Sequence, residues 1–314
     1  MMNSTYSENL HDSGFFFALM LTIMAVLAPF IIIGNLFVVL AVYKNYNLRT
    51  PTNFILTSLA VNDMMSSVAL ALACYPAVFS QKTWYPNMAD LLWLPIFTLC
   101  SSTLLHIVAL TVDRYIAVTK PLRYPTLVTP KRVGYEIASI WILSLIFLVL
   151  RGYIDLNEVQ NANRGREPHS LGFVIFSLVI VSLLFLTLLV IVVSNLRIMQ
   201  IAVRQARAIS NQTINDQNNC VAPAAVERRL KAVKTTGIIV GVLVFFWSPY
   251  IVFFTLHLTP LADKASMVYL NLCFLVALAI SAALNPFIYH HSSKYFELRQ
   301  TNSYAKMYCF HISS

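Results

Sequence analysis

"LGFVIFSLVIVSLLFLTLLVIVV", residues 171–193, contains no charged side chain. A bilayer core about 30 Å thick takes about 20 apolar helical residues to cross. In hydrocarbon a backbone must satisfy its own polar groups, so such a run reads as a spanning helix. The chain around it has 314 residues, is 58% apolar and only 11% charged, whereas soluble domains carry roughly 25% charged residues. Its few charges leave further windows almost bare. Seven spans are expected, roughly over residues 16–43, 53–79, 90–117, 133–150, 170–200, 232–257 and 266–289. The fourth is the shortest and would cross with little tilt. The expected fold is all-α: a seven-transmembrane helix bundle.

Basic residues set the orientation. With the N-terminus outside, the outer segments hold Lys82, Arg151, Arg164, Arg166 and Lys264; the other seventeen of the 22 Lys and Arg lie inside. The net charge of +9 is then mostly a cytoplasmic face turned toward anionic membrane lipid and any acidic partner. No soluble basic domain remains to bind nucleic acid. Residues 1–14 are polar, and the apolar stretch after them is too long for a signal-peptide core, so an uncleaved anchor is expected. The expected divisions are an extracellular tail over 1–15, the bundle over 16–290, and a cytoplasmic amphipathic helix and tail over 291–314.

Asn3-Ser4-Thr5 fits a glycosylation sequon on the outer side; Asn211-Gln212-Thr213 fits one too, but on the inner side. None of the five cysteines falls in an outer loop, so no extracellular disulfide is expected. Cys309 in the tail reads as a palmitoylation site or a free thiol. The inner loop over 201–231 holds "SNQTINDQNNC", polar and aperiodic, between basic segments that would extend the fifth and sixth spans into the cytosol. No internal repeat points to a transporter. The loops carry no metal-ligand cluster or nucleophile–base set, so an enzyme is not expected.

Polar motifs interrupt the apolar spans one by one. The first span has "GNLFVVLAV" with Asn35, and the second "NFILTSLAVND" with Asp63. The third ends in Asp113, Arg114 and Tyr115, and the fourth has Trp141. The sixth has "FFWSPY" with Trp247 and Pro249; the seventh ends in "NPFIY", Asn285, Pro286 through Tyr289. An acid near mid-membrane costs at least about 2.5–3.5 kcal/mol unless it finds partners. Pro249 and Pro286 break helical hydrogen bonds and should kink their spans. His106, alone inside the third span, reads as a hydrogen-bonded packing residue rather than a ligand or sensor.

In this order the motifs resemble the rhodopsin-like (class A) G-protein-coupled receptors over essentially the whole chain. The resemblance implies a plasma-membrane receptor that carries an extracellular ligand's signal to a heterotrimeric G protein by outward movement of the sixth helix. Arg114 would meet that partner, with Pro121 and Leu122 at the inner-loop contact and Trp247 beside the Pro249 hinge. It implies a sodium pocket at Asp63, Thr103, Ser281 and Asn285, near Asn35, with no cofactor required. The alternative there is a protonated, hydrogen-bonded Asp63 without an ion. Residues 292–306 resemble the short inner-surface helix. A second copy of the receptor is a further partner the resemblance allows.

Departures from the pattern are several. Ala89 stands where the usual disulfide begins, Thr187 replaces the fifth-helix proline, and Asn195 replaces a tyrosine. Leu104 and Leu243 alter the triad beneath the pocket. Arg229 replaces the acid that often tethers the arginine of the third helix, which predicts raised basal signalling. Ile96 occupies the position of the amine receptors' aspartate, and Ala279 that of the opsins' lysine, so neither a classical amine nor retinal is expected. The remaining pocket lining is Trp93, Ile96, Phe97, Cys100, Tyr250, Phe253, Phe254 and Leu275, which suits a lipid or an apolar part of a peptide but could equally be packing. Asp90, Asp155, Glu158, Glu167 and Asp263 at the rim read as a basic-peptide contact or as solvated loop charges. The alternative function is a receptor-like protein that binds ligand or partner receptors without efficient signalling.

Overall fold

Helix α1 (Met2–Lys44), α2 (Pro51–Phe79), α3 (Pro86–Thr119), α4 (Pro130–Asn163) and α5 (Leu171–Ile214) make up most of the computed structural model. It describes residues 2–79, 86–120, 122–164, 171–214, 245–248, 251–252, 255–256, 270 and 273–286. The sixth span contributes the helical residues 245–248 (α6), and the seventh the helix Cys273–Pro286 (α7). A single turn, Tyr124–Leu127, joins α3 to α4. Among the described residues every regular element is helical, as the hydropathy requires.

Five of these helices are long and apolar enough to cross a membrane, and α7 is a shorter apolar one. α3 is the hub, packed on α2, α4 and α5, while α1 packs on α2. Its spanning window is 61% buried, against 17% for those of α1 and α4. Phe30, Phe37, Val149 and Phe185 stand outward on the peripheral helices, where lipid would cover them.

Two expectations about helix ends are corrected. The fourth helix is not short: it continues past residue 150 to Asn163, so most of the expected second outer loop is helical. Arg151 and Asp155 form an i,i+4 pair on that extension, at 2.9 Å. Helix α1 likewise begins at Met2, within the expected polar tail. Hydropathy locates the lipid boundary of a helix and says nothing of where its hydrogen-bond ladder stops. At the inner end of α5 the helix runs to Ile214, as its basic flank predicted.

Lipid is as apolar as leucine, so helices in it associate through close packing and interhelical hydrogen bonds. Gly34 provides one close approach: a Cβ added there would lie 3.1 Å from Pro286 Cγ. The first and seventh helices meet where only a hydrogen fits comfortably. Gly34→Val is expected to cost about 1–3 kcal/mol by overpacking, and Gly34→Ala less. Thermal unfolding of purified receptor in nanodiscs checks this; equal midpoints for Val and wild type would contradict it.

Candidate functional site

A polar column runs through the bundle. Asp63 is 2% exposed and accepts a hydrogen bond from Asn285 Nδ2 at 2.6 Å, tying α2 to α7. Asn35, also buried, donates to the carbonyls of Ile31 at 2.9 Å and Ala282 at 3.4 Å rather than to Asp63. Asn62, not among the residues expected at the site, donates to Thr103 Oγ1 at 2.8 Å and to the Leu99 carbonyl at 3.2 Å. It is one polar link between α2 and α3. Only its place beside Asp63 in the "ND" pair could have drawn attention to it.

Thr103 donates its own proton to the Leu99 carbonyl at 3.0 Å, so one lone pair of its oxygen stays available. Asn35 Oδ1, Asn62 Oδ1 and Ser67 Oγ are buried oxygens without a hydrogen-bond partner. Buried oxygens of this kind, beside an acid with no basic partner among the described residues, are suited to a small hard cation or to water. Of the expected sodium set, Asp63 and Asn285 are hydrogen-bonded to each other and Thr103 is shared with Asn62, while the three unpartnered oxygens belong to other residues.

A second polar link crosses three helices. His106 Nδ1 lies 2.8 Å from the Ser102 carbonyl, which can only accept, so that nitrogen carries the proton. Ser58 then donates to Nε2 at 2.8 Å, and Trp141 Nε1 donates to Ser58 at 3.0 Å. His106 is a hydrogen-bonded packing residue, as expected.

Asp113 and Arg114 are neighbours in sequence, and an ion pair between them would be the simplest arrangement. The geometry is different. Thr52 Oγ1 and the Tyr124 hydroxyl both donate to Asp113, each at 2.8 Å. Both hydroxyl protons go to one carboxylate, which explains the 3.0 Å approach of the two oxygens. Among the described residues Arg114, half-buried, makes no ion pair. The Tyr124 phenol is pushed up to about 12, chiefly by burial, and its hydrogen bond to Asp113 and the Asp113 charge add to the rise. The raised value favours the protonated phenol, so the donor persists through physiological pH and is lost only in strong alkali. A cavity of about 100 Å³ lies beside Asp113, walled by Ile116, Leu127, Val133 and Glu136. Leu122 protrudes at 95% exposure, and Tyr115 is exposed as well.

Toward the other end, Ile96, Cys100 and Leu275 are buried with Trp247 and Phe274 in one apolar cluster, and Phe97 packs against it. The Trp247 and Phe274 rings meet edge-on, centroids 6.4 Å apart. Asn195 turns back to the Ile191 carbonyl of its own helix at 2.7 Å. Ser281 is half-buried on α7. The Trp93 side chain, Pro121, Arg229, Pro249, Tyr250, Phe253, Phe254, Tyr289 and Cys309, with the side chain of Asn3 and residues 292–306, lie outside the described residues.

A buried acid paired across helices, a tryptophan within an apolar cluster and a half-buried arginine near the end of α3 lie in a bundle of membrane-length helices. The chain belongs to the 7 transmembrane receptor (rhodopsin family), whose sequence profile matches residues 34–289. It is similar to the histamine H2 receptor of Cavia porcellus, 30% identical over 93% of this chain and 80% of that receptor. It is 28% identical to the human histamine H2 receptor over 99% of this chain and 85% of that protein. The octopamine receptor Oamb of Drosophila melanogaster is 32% identical over 48% of this chain and 24% of its own length. The protein is thus a multi-pass class A G-protein-coupled receptor with a seven-transmembrane bundle, an extracellular ligand and a G protein as partners.

These relatives correct one expectation. The exclusion of amines rested on Ile96 alone, yet the named relatives are amine receptors. One position speaks only to one way of holding an ammonium group.

Proposed function

We propose that an extracellular ligand with an apolar or aromatic body settles against Ile96, Phe97, Cys100 and Leu275, above Trp247, and that outward movement of the sixth helix exposes Arg114 to the G protein. The apolar lining alone supports a lipid or an apolar part of a peptide; the relatives' names support a small amine. The observation that carries the coupling reading is the state of Asp113. Its two hydroxyl partners occupy the acid, leaving the arginine beside it without an ion pair among the described residues. Pro249, Pro286 and Asn285 form the hinge and latch of the movement, and Tyr289 closes its inner end. Tyr115, Pro121 and Leu122 are the partner's docking edge, and the 95% exposure of Leu122 supports this. The receptor sits in the plasma membrane with Asn3 outside, open to glycosylation, and Cys309 inside, open to palmitoylation.

Recruitment of a panel of G-protein families without ligand tests coupling. Recruitment above that of mock-transfected membranes is expected for at least one family; none at all would favour a receptor-like protein that binds without signalling. Tyr124→Phe sharpens the test. A hydrogen bond to a charged group contributes about 1.5–3 kcal/mol. Its loss lets Asp113 turn to Arg114, so basal recruitment should fall roughly tenfold or more. Unchanged recruitment would contradict the role given to Tyr124.

Sodium is the further partner of Asp63 in this reading, supplied with oxygens by Thr103, Ser281 and Asn285; its charge would offset that of the buried carboxylate. A ligand at ten times its Kd stabilises by about 1.4 kcal/mol. Sodium chloride should therefore raise the unfolding midpoint above that in choline chloride, and Asp63→Asn should abolish the difference. Equal midpoints in the two salts for wild type would remove sodium from the account.

A further inference from the structure

The outer extension of α4 brings a charged pair to the edge of the ligand cluster. Arg151 Nε donates to Asp155 Oδ2 at 2.9 Å, and the two side chains are only 17% and 19% exposed. The guanidinium carbon lies 5.9 Å from the Phe97 ring centroid and 6.0 Å from that of Phe176. A carboxylate from α4, a ring from α3 and a ring from α5 thus surround one cation. Phe97 follows Ile96 and packs on the same apolar cluster, so the arrangement is continuous with the ligand lining.

We propose that Asp155, Phe97 and Phe176 form a binding site for a protonated amine, and that Arg151 is its resident cation. This rests on the receptor reading above. The electrostatics choose the sign of the ligand. Aromatic faces carry negative quadrupole potential and attract cations. The carboxylate does the same, so an anion approaching Arg151 would meet repulsion from Asp155 and from both ring faces. Guanidinium is weakly hydrated and stacks readily on rings, which suits it to keep such a site filled.

An arylalkyl amine fits the site by exchange. Its ammonium group takes the Asp155 oxygen and the ring faces, Arg151 turns toward the outer water, and its aromatic body lies along Phe97 toward Ile96 and Trp247. The site supplies, from α4, the counter-ion that Ile96 cannot supply from α3. A tethered competitor lowers apparent affinity by the fraction of time the site is taken. Arg151 therefore sets the threshold for the amine.

The test uses full-length receptor in nanodiscs with two isosteric probes, phenethylamine and phenylpropionate, titrated by ligand-detected NMR. Arg151→Gln should bind phenethylamine roughly tenfold or more tighter than wild type. Asp155→Asn should lose that binding in either background. Phe176→Leu, which keeps the Arg151–Asp155 pair, should weaken it, so the idea stays testable if Arg151→Gln folds poorly. Unchanged phenethylamine affinity across the variants overturns the proposal, and so does absence of binding by every variant. Phenylpropionate binding that Arg151→Gln abolishes also overturns it, by making Arg151 an anion anchor. Ligand-free G-protein recruitment, measured on the same variants, reports separately on the receptor reading.

Discussion

Replacing Arg114 by alanine is expected to bring ligand-free and ligand-driven G-protein activation down to the background of mock-transfected membranes. The side chain is half-buried at the inner end of α3, and among the described residues it has no ion pair. Its acidic neighbour spends its oxygens on Thr52 and Tyr124. A guanidinium held this way keeps its fork of donors for a partner's carbonyls. Each charge-assisted bond lost with it contributes about 1.5–3 kcal/mol, so one bond alone lowers coupling roughly ten- to a hundredfold. Arg114→Lys should fall between, because an ammonium keeps the charge without the planar fork. Surface expression should stay near that of wild type, since among the described residues no ion pair of Arg114 is broken. Reporter recruitment normalised to surface receptor checks all three expectations.

The second large effect is on stability. Phe274→Ala is expected to destabilise the receptor by about 3–5 kcal/mol, the range for truncating a buried aromatic ring. Phe274 is 0% exposed and meets Trp247, itself 1% exposed, edge-on. In lipid the loss is mainly of packing, because a void leaves the atoms around it without contact partners. The unfolding midpoint should fall by roughly 5–15 °C on the scale of larger domains. Phe274→Leu should fall by less than half as much. A shift of under about 2 °C for Phe274→Ala would mean that the ring is not part of a tightly packed core.

The membrane class was legible because a charge-free run such as 171–193 has few other stable fates. Asp63 was legible for a related reason: an acid at that depth must find a donor, and Asn285 is one. The true ends of α4 were not. Past residue 150 the sequence turns polar, and an Arg151–Asp155 pair can hold either a helix or a loop. Asn62, Thr52 and Tyr124 were missed because their importance lies in partners distant in sequence. Thr52 reaches an acid 61 positions away, and nothing local to Thr52 records it. The exclusion of an amine had too narrow a base. A missing aspartate at Ile96 spoke only to one counter-ion, whereas the relatives' names concern the whole receptor.

In the proposed mechanism the inner mouth of the bundle opens around Arg114. Spin labels on Arg123, beside the turn after α3, and on Lys231, just before the sixth span expected from the sequence, report that opening as a distance distribution. Binding of a G protein is expected to add a population at longer distance, and Arg114→Ala to suppress it. A distribution that stays the same with and without bound G protein would contradict the account.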